Sequence, residues 1–578
     1  MTSEENPKRD ETTPDNEPET NDRSDILPAG KSKGPPIAAG DAPSGVPGVA
    51  ETDTLGEDKD DTYVARVARG AGISTAGQGI GRVLGYFSLL AIARLFGPTA
   101  QGFYQAGVAV LNGAQILARF GMENGVVRYV AHYRAQGDTA RVKGTIIQAI
   151  AITFALSLVL ATIMFFGAGF VEGWQFRDYS MKPVLRAFAV VLPFFVFMMM
   201  VLWATQGFQT VTYASYVQQM IRPALFVVFL GVFYLLGTET IGIIAAFGVS
   251  MFLGSLVAVY YLYKLFPEIF DRTVPAKFET KALFNVSVPM SITTGAQYLN
   301  TWSALLVLGI FAIGPPVAIF GTAARTATLS TIVRFAFSGI FSPMISSFYS
   351  RGEMGELDRL YKDISRWIFT GAFAIFLLIV VLADEVLAVF GQAYVAGVAA
   401  LIIVAFAQLY SSAVGPTPRM LAMTENQNVV MVATAVAAVV GLAVSVILIW
   451  SASTSEGKIL GAAIGMATGI VVENTATLLA VRRRLGFWPY NLAWLKPLVA
   501  GLAAAAAAYL IGVLVPLSVL PTLVVSGAVF GLIYLALLLV FGLSATDKEF
   551  LGAFWNVALR SLRRVRRIRG GAMDRTAR

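Results

Sequence analysis

The chain alternates long apolar stretches with short polar connections between residues 70 and 542. A helix needs about 20 apolar residues to cross the hydrocarbon of a bilayer, and an open strand there would leave backbone groups unsatisfied. The pattern therefore predicts an all-α polytopic membrane protein. The chain has fourteen predicted spans: 70–96, 99–122, 144–170, 186–207, 214–236, 240–263, 283–311, 316–345, 366–386, 395–418, 428–450, 459–481, 496–515 and 519–542.

Positive charge is concentrated in alternate connections, at 128–143, 264–281, 351–366 and 482–484. The intervening connections hold few basic residues. Short loops rich in Lys and Arg face the cytoplasm, so the pattern predicts a multi-pass protein of the cytoplasmic membrane with both termini cytoplasmic. A missed or extra span would invert this pattern of positive charge from that point onward, and no inversion occurs.

The two ends of the chain are polar and opposite in charge. Residues 1–62 hold sixteen acidic residues, six basic residues and eight prolines, a composition typical of a disordered tail. Residues 546–578 form a predicted basic tail whose Arg560–Arg569 cluster we expect on anionic lipid headgroups. No recognition motif accompanies this cluster, so nucleic-acid binding is not predicted.

The composition excludes several kinds of active site. Hydrophobic residues make up 56% of the chain and charged residues 14%, against roughly 25% charged in soluble proteins. Cysteine is absent, and His132 is the single histidine. Thiolate sites are therefore excluded, as are a histidine metal cluster and a Ser-His-Asp triad within the bilayer, and we expect His132 in an exposed inner loop. No phosphate-binding loop motif occurs, so the sequence predicts neither an enzyme nor a cofactor.

Short sequences recur in order at a nearly constant offset. "STAGQ" at 74–78 echoes "TTGAQ" at 293–297, and "LFGP" at 95–98 echoes "AIGP" at 312–315. Six spans followed by six in the same orientation make a parallel repeat, which is common in transporters. The predicted domains are an N-terminal lobe, a C-terminal lobe and two final helices, at 63–270, 271–485 and 486–545.

Three segments give the chain a resemblance to a known superfamily. They are "ARLFGPTAQGFY" at 93–104, "RFGMENGVVRYVAHY" from Arg119, and "FGQAYVAGVAAL" at 390–401 followed by "GPTPRMLAMTENQN". With them, the chain resembles polysaccharide-type flippases of the multidrug/oligosaccharidyl-lipid/polysaccharide (MOP) superfamily. The resemblance implies two six-helix lobes, a central cavity between them and alternating access.

Polar residues follow helical spacing on the spans that line the cavity in that superfamily. Gln105, Asn112 and Arg119 are seven apart on the second span, so they drift only about 20° per step. Ser74, Gln78 and Arg82 are four apart on the first span, and Thr293, Gln297 and Thr301 repeat this spacing on the seventh. Hydrogen bonding between packed helices is the alternative explanation.

Arginines inside the spans favour an anionic substrate. Five lie at least three residues from either end of a span: Arg82, Arg119, Arg222, Arg325 and Arg334. One clearly internal acid, Glu473, lies within the spans. The planar guanidinium binds two phosphate oxygens at once and stays charged. Arg222 lies near an inner end, where its side chain is expected to reach the interface. Arg325 and Arg334 are nine residues apart, so they cannot both face a cavity from one straight helix. The predicted substrate-binding residues are Arg82, Arg119, Gln78, Asn112, Gln297, Arg325 and Arg334.

These features favour a flippase for lipid-linked oligosaccharide or polysaccharide precursors, with glycosyltransferases of the same pathway as possible partners. A cation-coupled multidrug exporter is an alternative, but it would be expected to carry carboxylates inside the N-terminal lobe, where none lies well within a span. A flippase for the peptidoglycan lipid precursor stays open, since its head is also anionic. A membrane-embedded glycosyltransferase ranks last, because every predicted outer loop is short.

Overall fold

The chain is helical wherever the structure describes it. The computed structural model describes residues 57–175, 181–515 and 518–542, with the backbone alone for 57–78, 171–175 and several positions between 335 and 343. No strand occurs in these residues, which confirms the predicted all-α class. The described residues from 62 to 542 belong to one compact unit, and the contacts described below lie within it.

Seven α-helices make up the first half of the described chain. They are α1 (Glu57–Arg119), α2 (Met122–Ala135), α3 (Thr139–Gln175), α4 (Lys182–Gln206), α5 (Thr212–Ser215), α6 (Arg222–Leu235) and α7 (Thr240–Leu265), with a π-helical turn at Tyr216–Ile221 between α5 and α6.

Eleven α-helices follow in the described part of the second half. They are α8 (Thr280–Phe311), α9 (Pro315–Ala327), α10 (Ile332–Ser350), α11 (Met354–Val381), α12 (Ala383–Ala388), α13 (Val398–Val414), α14 (Thr417–Met423), α15 (Gln427–Ser451), α16 (Ser455–Leu485), α17 (Leu495–Leu514) and α18 (Val519–Val540).

Within the described ranges, eleven helical segments are long and apolar enough to cross a membrane. This confirms a polytopic membrane protein. One of the eleven, Gly79–Arg119, contains the break at Gly97. The number becomes fourteen if that break separates two spans and if α8 and the α9–α10 pair also cross, so the count of fourteen stays a prediction.

Glycine–proline pairs break the first helical hairpin of each half. Gly97 has a φ of 79° and Gly314 a φ of 88°, a backbone region that favours glycine. Proline follows each glycine and begins the next helical arm, where its missing N–H has no helical partner to lose. The echoed sequences "LFGP" and "AIGP" therefore make equivalent turns.

The two halves also pack their helices in the same order. In the first half α4 lies against α3 and α7, and α6 lies against α7. In the second half α13 lies against α11 and α16, and α15 lies against α16. A parallel repeat predicts this arrangement. Superposition of the two halves, with the domain boundaries at 270, 485 and 545, stays a prediction.

A continuous apolar core joins the halves, and the last two helices attach to its side. One cluster of buried apolar side chains runs from Leu89 in α1 to Ala463 in α16. Outside it, the Trp494 ring, just before α17, lies 4.5 Å from the Phe369 ring of α11. The hydroxyl of Tyr534 in α18 donates to the Thr370 carbonyl at 2.9 Å.

Several local features depart from the predicted straight spans. The fifth span contains the π turn, and the eighth is divided by a 3₁₀ turn at Thr328–Thr331. α1 begins at Glu57, inside the segment predicted to be disordered, and His132 is exposed as expected but lies on α2. The rest of the acidic tail and the Arg560–Arg569 cluster lie outside the described residues.

Candidate substrate cavity

A cavity of about 550 Å³ lies between helices of both halves. α1, α4, α6 and α7 line it from the first half, and α8, α9 and α16 from the second. None of the described lining residues is Asp or Glu. The polar and charged side chains among them are Ser88, Tyr104, Gln105, Asn112, Gln218, Gln219, Arg222, Thr301, Arg325 and Thr328.

Two arginines enter this cavity from different halves. Arg222 is the first residue of α6, and its guanidinium carbon lies 6.0 Å from the centre of the Phe247 ring. Arg325 is in the last turn of α9, and its exposed side chain faces the cavity. The two arginines are within electrostatic range of each other and of Tyr104. Like charges that share a cavity wall raise the local concentration of anions.

The π turn before α6 brings Arg222 to the cavity. It presents Gln218 and Gln219 on the same wall. Pro223 follows directly and has no N–H to donate to the carbonyl of Gln219, so the helical hydrogen bonding changes register at this point. π-helical turns of this kind are common at functional sites. Arg222 was expected to reach the membrane interface, and the structure corrects this by placing it in the cavity.

Glycine at position 81 allows α1 to lie against this turn. A Cβ atom there would come within 2.5 Å of the Gln219 side-chain oxygen and 2.9 Å of its carbonyl oxygen. Gly81 and Gly85 both line the cavity. The glycine-bearing face of α1 is therefore the face turned toward Arg222.

A buried amide with unused hydrogen-bonding capacity faces the cavity. The Gln105 side chain is 8% exposed, and neither its nitrogen nor its oxygen has a hydrogen-bond partner among the described residues. Its oxygen occupies the space that a Cβ atom would fill at Gly321 of α9. Buried amides in proteins are usually paired, so the Gln105 amide is an exception in the wall of this cavity.

The two halves are joined at the Gly97–Gly314 end of the cavity. Arg94 donates to the carbonyl oxygens of Val389 at 2.6 Å and Ala388 at 3.0 Å. Gln101 donates to the Thr322 hydroxyl at 3.3 Å and accepts from the Tyr394 hydroxyl. Gly102 lies against the Gly314 carbonyl. These contacts form an inter-half seam at this end.

Two residues predicted from the sequence to bind substrate, Asn112 and Arg325, line the cavity. The Asn112 amide donates to the Val108 carbonyl at 2.8 Å. Arg82 is not among the lining residues, although Gly81 and Gly85 are; one helical residue is a rotation of about 100°. Its role stays a prediction.

The remaining predicted residues lie elsewhere. Arg119 is buried and its guanidinium lies 3.9 Å from the Glu123 carboxylate. Arg334, beyond the 3₁₀ turn from Arg325, donates to the Ser411 hydroxyl at 2.5 Å. Gln297 is exposed on α8 outside the cavity lining, and the side chain of Gln78 is outside the described part.

The internal acid Glu473 lies in a separate polar cluster of the second half. Its carboxylate accepts from the Asn300 amide at 2.6 Å and from the Thr434 hydroxyl at 2.8 Å. Arg334 is within electrostatic range of it. Glu473 is not among the residues that line the cavity, so it does not neutralise Arg222 or Arg325 there by direct contact.

Comparisons with known proteins agree with this architecture. Residues 67–349 match the family model described as polysaccharide biosynthesis protein. The chain is 24% identical to stage V sporulation protein B of Bacillus subtilis over 421 residues, which is 68% of this chain and 79% of that protein. Its fold is similar to that of the lipid II flippase MurJ in an inward closed conformation, with a TM-score of 0.64, 12% identity, and coverage of 81% and 98% of the two chains. These similarities of sequence and fold agree with the resemblance to polysaccharide-type flippases that the sequence motifs carry.

A further relative of this chain carries a functional name. It is the probable low-salt glycan biosynthesis flippase Agl15 of Haloferax volcanii. The two are 24% identical over 200 residues, which is 34% of this chain and 41% of that protein. The match confirms the resemblance that the sequence motifs carry.

Proposed function

We propose that this chain is a flippase that moves lipid-linked saccharide precursors across the cell membrane by alternating access. One observation carries the proposal: Arg222 and Arg325, one from each half, line a single cavity whose described lining has no carboxylate. The substrate's phosphate or diphosphate head would be held by these two arginines. Neither catalysis nor a cofactor forms part of the proposal.

Phosphate chemistry fits this cavity. A guanidinium offers paired N–H donors that match two phosphate oxygens. Two guanidinium groups from opposite halves can hold one diphosphate and draw the halves together around it. The unpaired amide of Gln105 and the amides of Gln218 and Gln219 then provide donors and acceptors for saccharide hydroxyls.

The names of similar proteins support the same substrate class. The matching family model is described by polysaccharide biosynthesis, and Agl15 is named as a glycan biosynthesis flippase. Glycosyltransferases that build the precursor would be its functional partners.

Two alternatives on the same fold differ in what the cavity must bind. A cation-coupled multidrug exporter needs acidic side chains where a cationic drug lies, and the described cavity lining has none. A peptidoglycan precursor flippase would bind the same kind of diphosphate head. Binding of a diphosphate head therefore distinguishes the proposal from the multidrug exporter. The identity of the saccharide distinguishes it from the peptidoglycan precursor flippase.

Binding to the purified full chain tests the proposal. We expect a fluorescent polyprenyl diphosphate to bind, and a cationic dye not to compete. Replacing either cavity arginine by alanine in Arg222→Ala or Arg325→Ala should weaken binding about tenfold or more, because a charge-assisted hydrogen bond contributes about 1.5–3 kcal/mol. Lysine should restore binding in part, since it keeps the charge and loses the planar fork.

The matched control removes an arginine outside the cavity. Arg359 is exposed and lies 3.1 Å from Glu356, so Arg359→Ala should leave the affinity unchanged. Equal affinity of the parent and the two cavity variants would contradict the proposal. Tight binding of the cationic dye would favour the exporter.

A further inference from the structure

One aromatic side chain in the wall of the substrate cavity stands apart from the other rings there. Trp302 of α8 lines the cavity and is partly exposed. Its ring meets no other aromatic ring, and its indole N–H has no hydrogen-bond partner among the described residues. The N–H of a largely buried tryptophan usually finds a partner, so Trp302 is an exception in this wall.

The other aromatic residues of the described lining are held by packing. Three of them form a cluster on the first-half wall with ring centres within 6.0 Å of one another: Tyr104, Phe226 and Phe247. Two more are buried: Phe195 and Phe320. Within the described lining, Trp302 is therefore the one aromatic residue that is partly exposed and has no ring partner.

The hairpin of α8 and α9 places Trp302 at the depth of Arg325. The two helices run in opposite directions on either side of the Gly314 turn. Near the turn, a Leu305 methyl carbon lies 3.2 Å from the position that a Cβ atom would take at Gly321. Trp302 precedes Leu305 by three residues. Arg325 follows Gly321 by four, so both lie about 5–6 Å farther from the turn at 1.5 Å per residue.

We propose that Trp302 is the platform on which the first sugar of the transported precursor stacks, namely the sugar joined directly to the diphosphate. The inference rests on the proposed function and adds a specificity-determining residue to the same site. A sugar attached to a diphosphate that Arg222 and Arg325 hold would lie close to the depth of Trp302.

The chemistry of a sugar ring matches an aromatic platform. A pyranose has C–H groups on its faces, and their partial positive charge suits the negative face of an aromatic ring. The indole N–H adds a donor for a sugar hydroxyl. A lipid diphosphate without sugar would use the arginines alone, so the contribution of Trp302 can be measured separately from theirs.

The experiment compares two ligands of the purified full chain, a fluorescent polyprenyl diphosphate and the same lipid with a disaccharide on its diphosphate. The ratio of their dissociation constants measures the contribution of the saccharide. Trp302→Leu keeps an apolar side chain and removes the flat ring, and we expect it to lower this ratio about fivefold or more. Trp302→Phe should retain most of the ratio, since a ring remains.

Two further variants separate this inference from the proposed function. Trp450 is 76% exposed at the end of α15 and does not line the cavity, so Trp450→Ala should change neither dissociation constant. Arg325→Ala should raise both constants by a similar factor, because it acts on the diphosphate. If the proposed function fails, Arg325→Ala leaves both constants unchanged, whatever happens at Trp302.

A second measurement uses the conservative variant, in case Trp302→Leu does not fold. With unlabelled lipids, the saccharide-bearing ligand should change the tryptophan emission of the parent more than the saccharide-free ligand does. This difference should disappear in Trp302→Phe.

Three results would overturn the inference. The first is a ratio in Trp302→Leu equal to the parental ratio, including the case in which both ligands bind equally more weakly. The second is a parent that binds the two ligands equally. The third is an emission difference in Trp302→Phe as large as in the parent.

Discussion

At the scale of single residues, replacing Gln105 tests whether its amide has a structural role or a binding role. Leucine at this position removes a buried amide that has no partner among the described residues. An unsatisfied buried polar group costs about 1–3 kcal/mol, so Gln105→Leu should raise the melting temperature. Loss of one hydrogen bond to the substrate should weaken polyprenyl-diphosphate saccharide binding by about 2- to 10-fold.

The two readouts are compared in the same purified samples. Exposed Gln136→Leu, at the end of α2, serves as the control and should change neither value. A Gln105→Leu variant that binds the saccharide as tightly as the parent would remove Gln105 from the site. A lower melting temperature would show that its amide has a structural partner.

The sequence predicts the kind of chemistry at the site better than it predicts which residues form the site. Residue types inside the spans indicate surplus guanidinium, and two of the predicted residues, Asn112 and Arg325, do line the cavity. Arg222 could not be found in this way, because a π turn rotates it relative to an ideal helix. Among the arginines inside the predicted spans, Arg82 lies deepest in the membrane. Depth along a helix does not determine the direction in which the side chain points.

At the scale of elements, the close approach of Gly102 to Gly314 predicts that a larger residue at position 102 lowers the stability of the inter-half seam. A methyl group at position 102 would overlap the Gly314 carbonyl, so Gly102→Ala must push α1 and α9 apart. Forced overpacking typically costs about 1–3 kcal/mol, and we expect a lower melting temperature. Arg94→Ala should act in the same direction, since it removes two hydrogen bonds across the seam.

Gly79→Ala is the control on the same helix. A Cβ atom there would meet nothing within 4 Å, and alanine is the better helix former by about 1 kcal/mol. This variant should therefore melt at or slightly above the parental temperature. A Gly102→Ala variant as stable as the control would mean that α1 and α9 do not meet at this seam.

The sequence predicts where helices exist but not how they are interrupted. Apolar length is enough to locate most spans, and the Gly-Pro pairs at 97–98 and 314–315 indicate the turns. Pro223 is the one local signal for the π turn at Tyr216–Ile221, and a proline does not by itself indicate a π turn. The 3₁₀ turn at Thr328–Thr331 carries no comparable signal.

At the scale of the whole molecule, the topology is testable because the chain has no cysteine. Alternating positive charge predicts that the connection between α3 and α4 is external. A cysteine introduced by Ser180→Cys, a position outside the described residues, should react with an impermeant thiol reagent added to intact cells. Reaction only after lysis would reverse the predicted orientation. The cysteine-free parent provides the blank.

Transport by the whole protein tests the central claim most directly. The full chain is reconstituted in vesicles with a fluorescent polyprenyl-diphosphate disaccharide, and the fraction moved between leaflets is followed by its protection from an impermeant quencher. We predict transfer by the parent and by Arg359→Ala, a rate about 10- to 100-fold lower in Arg325→Ala, and an intermediate rate in Arg325→Lys. Transfer by Arg325→Ala at the parental rate would contradict the account.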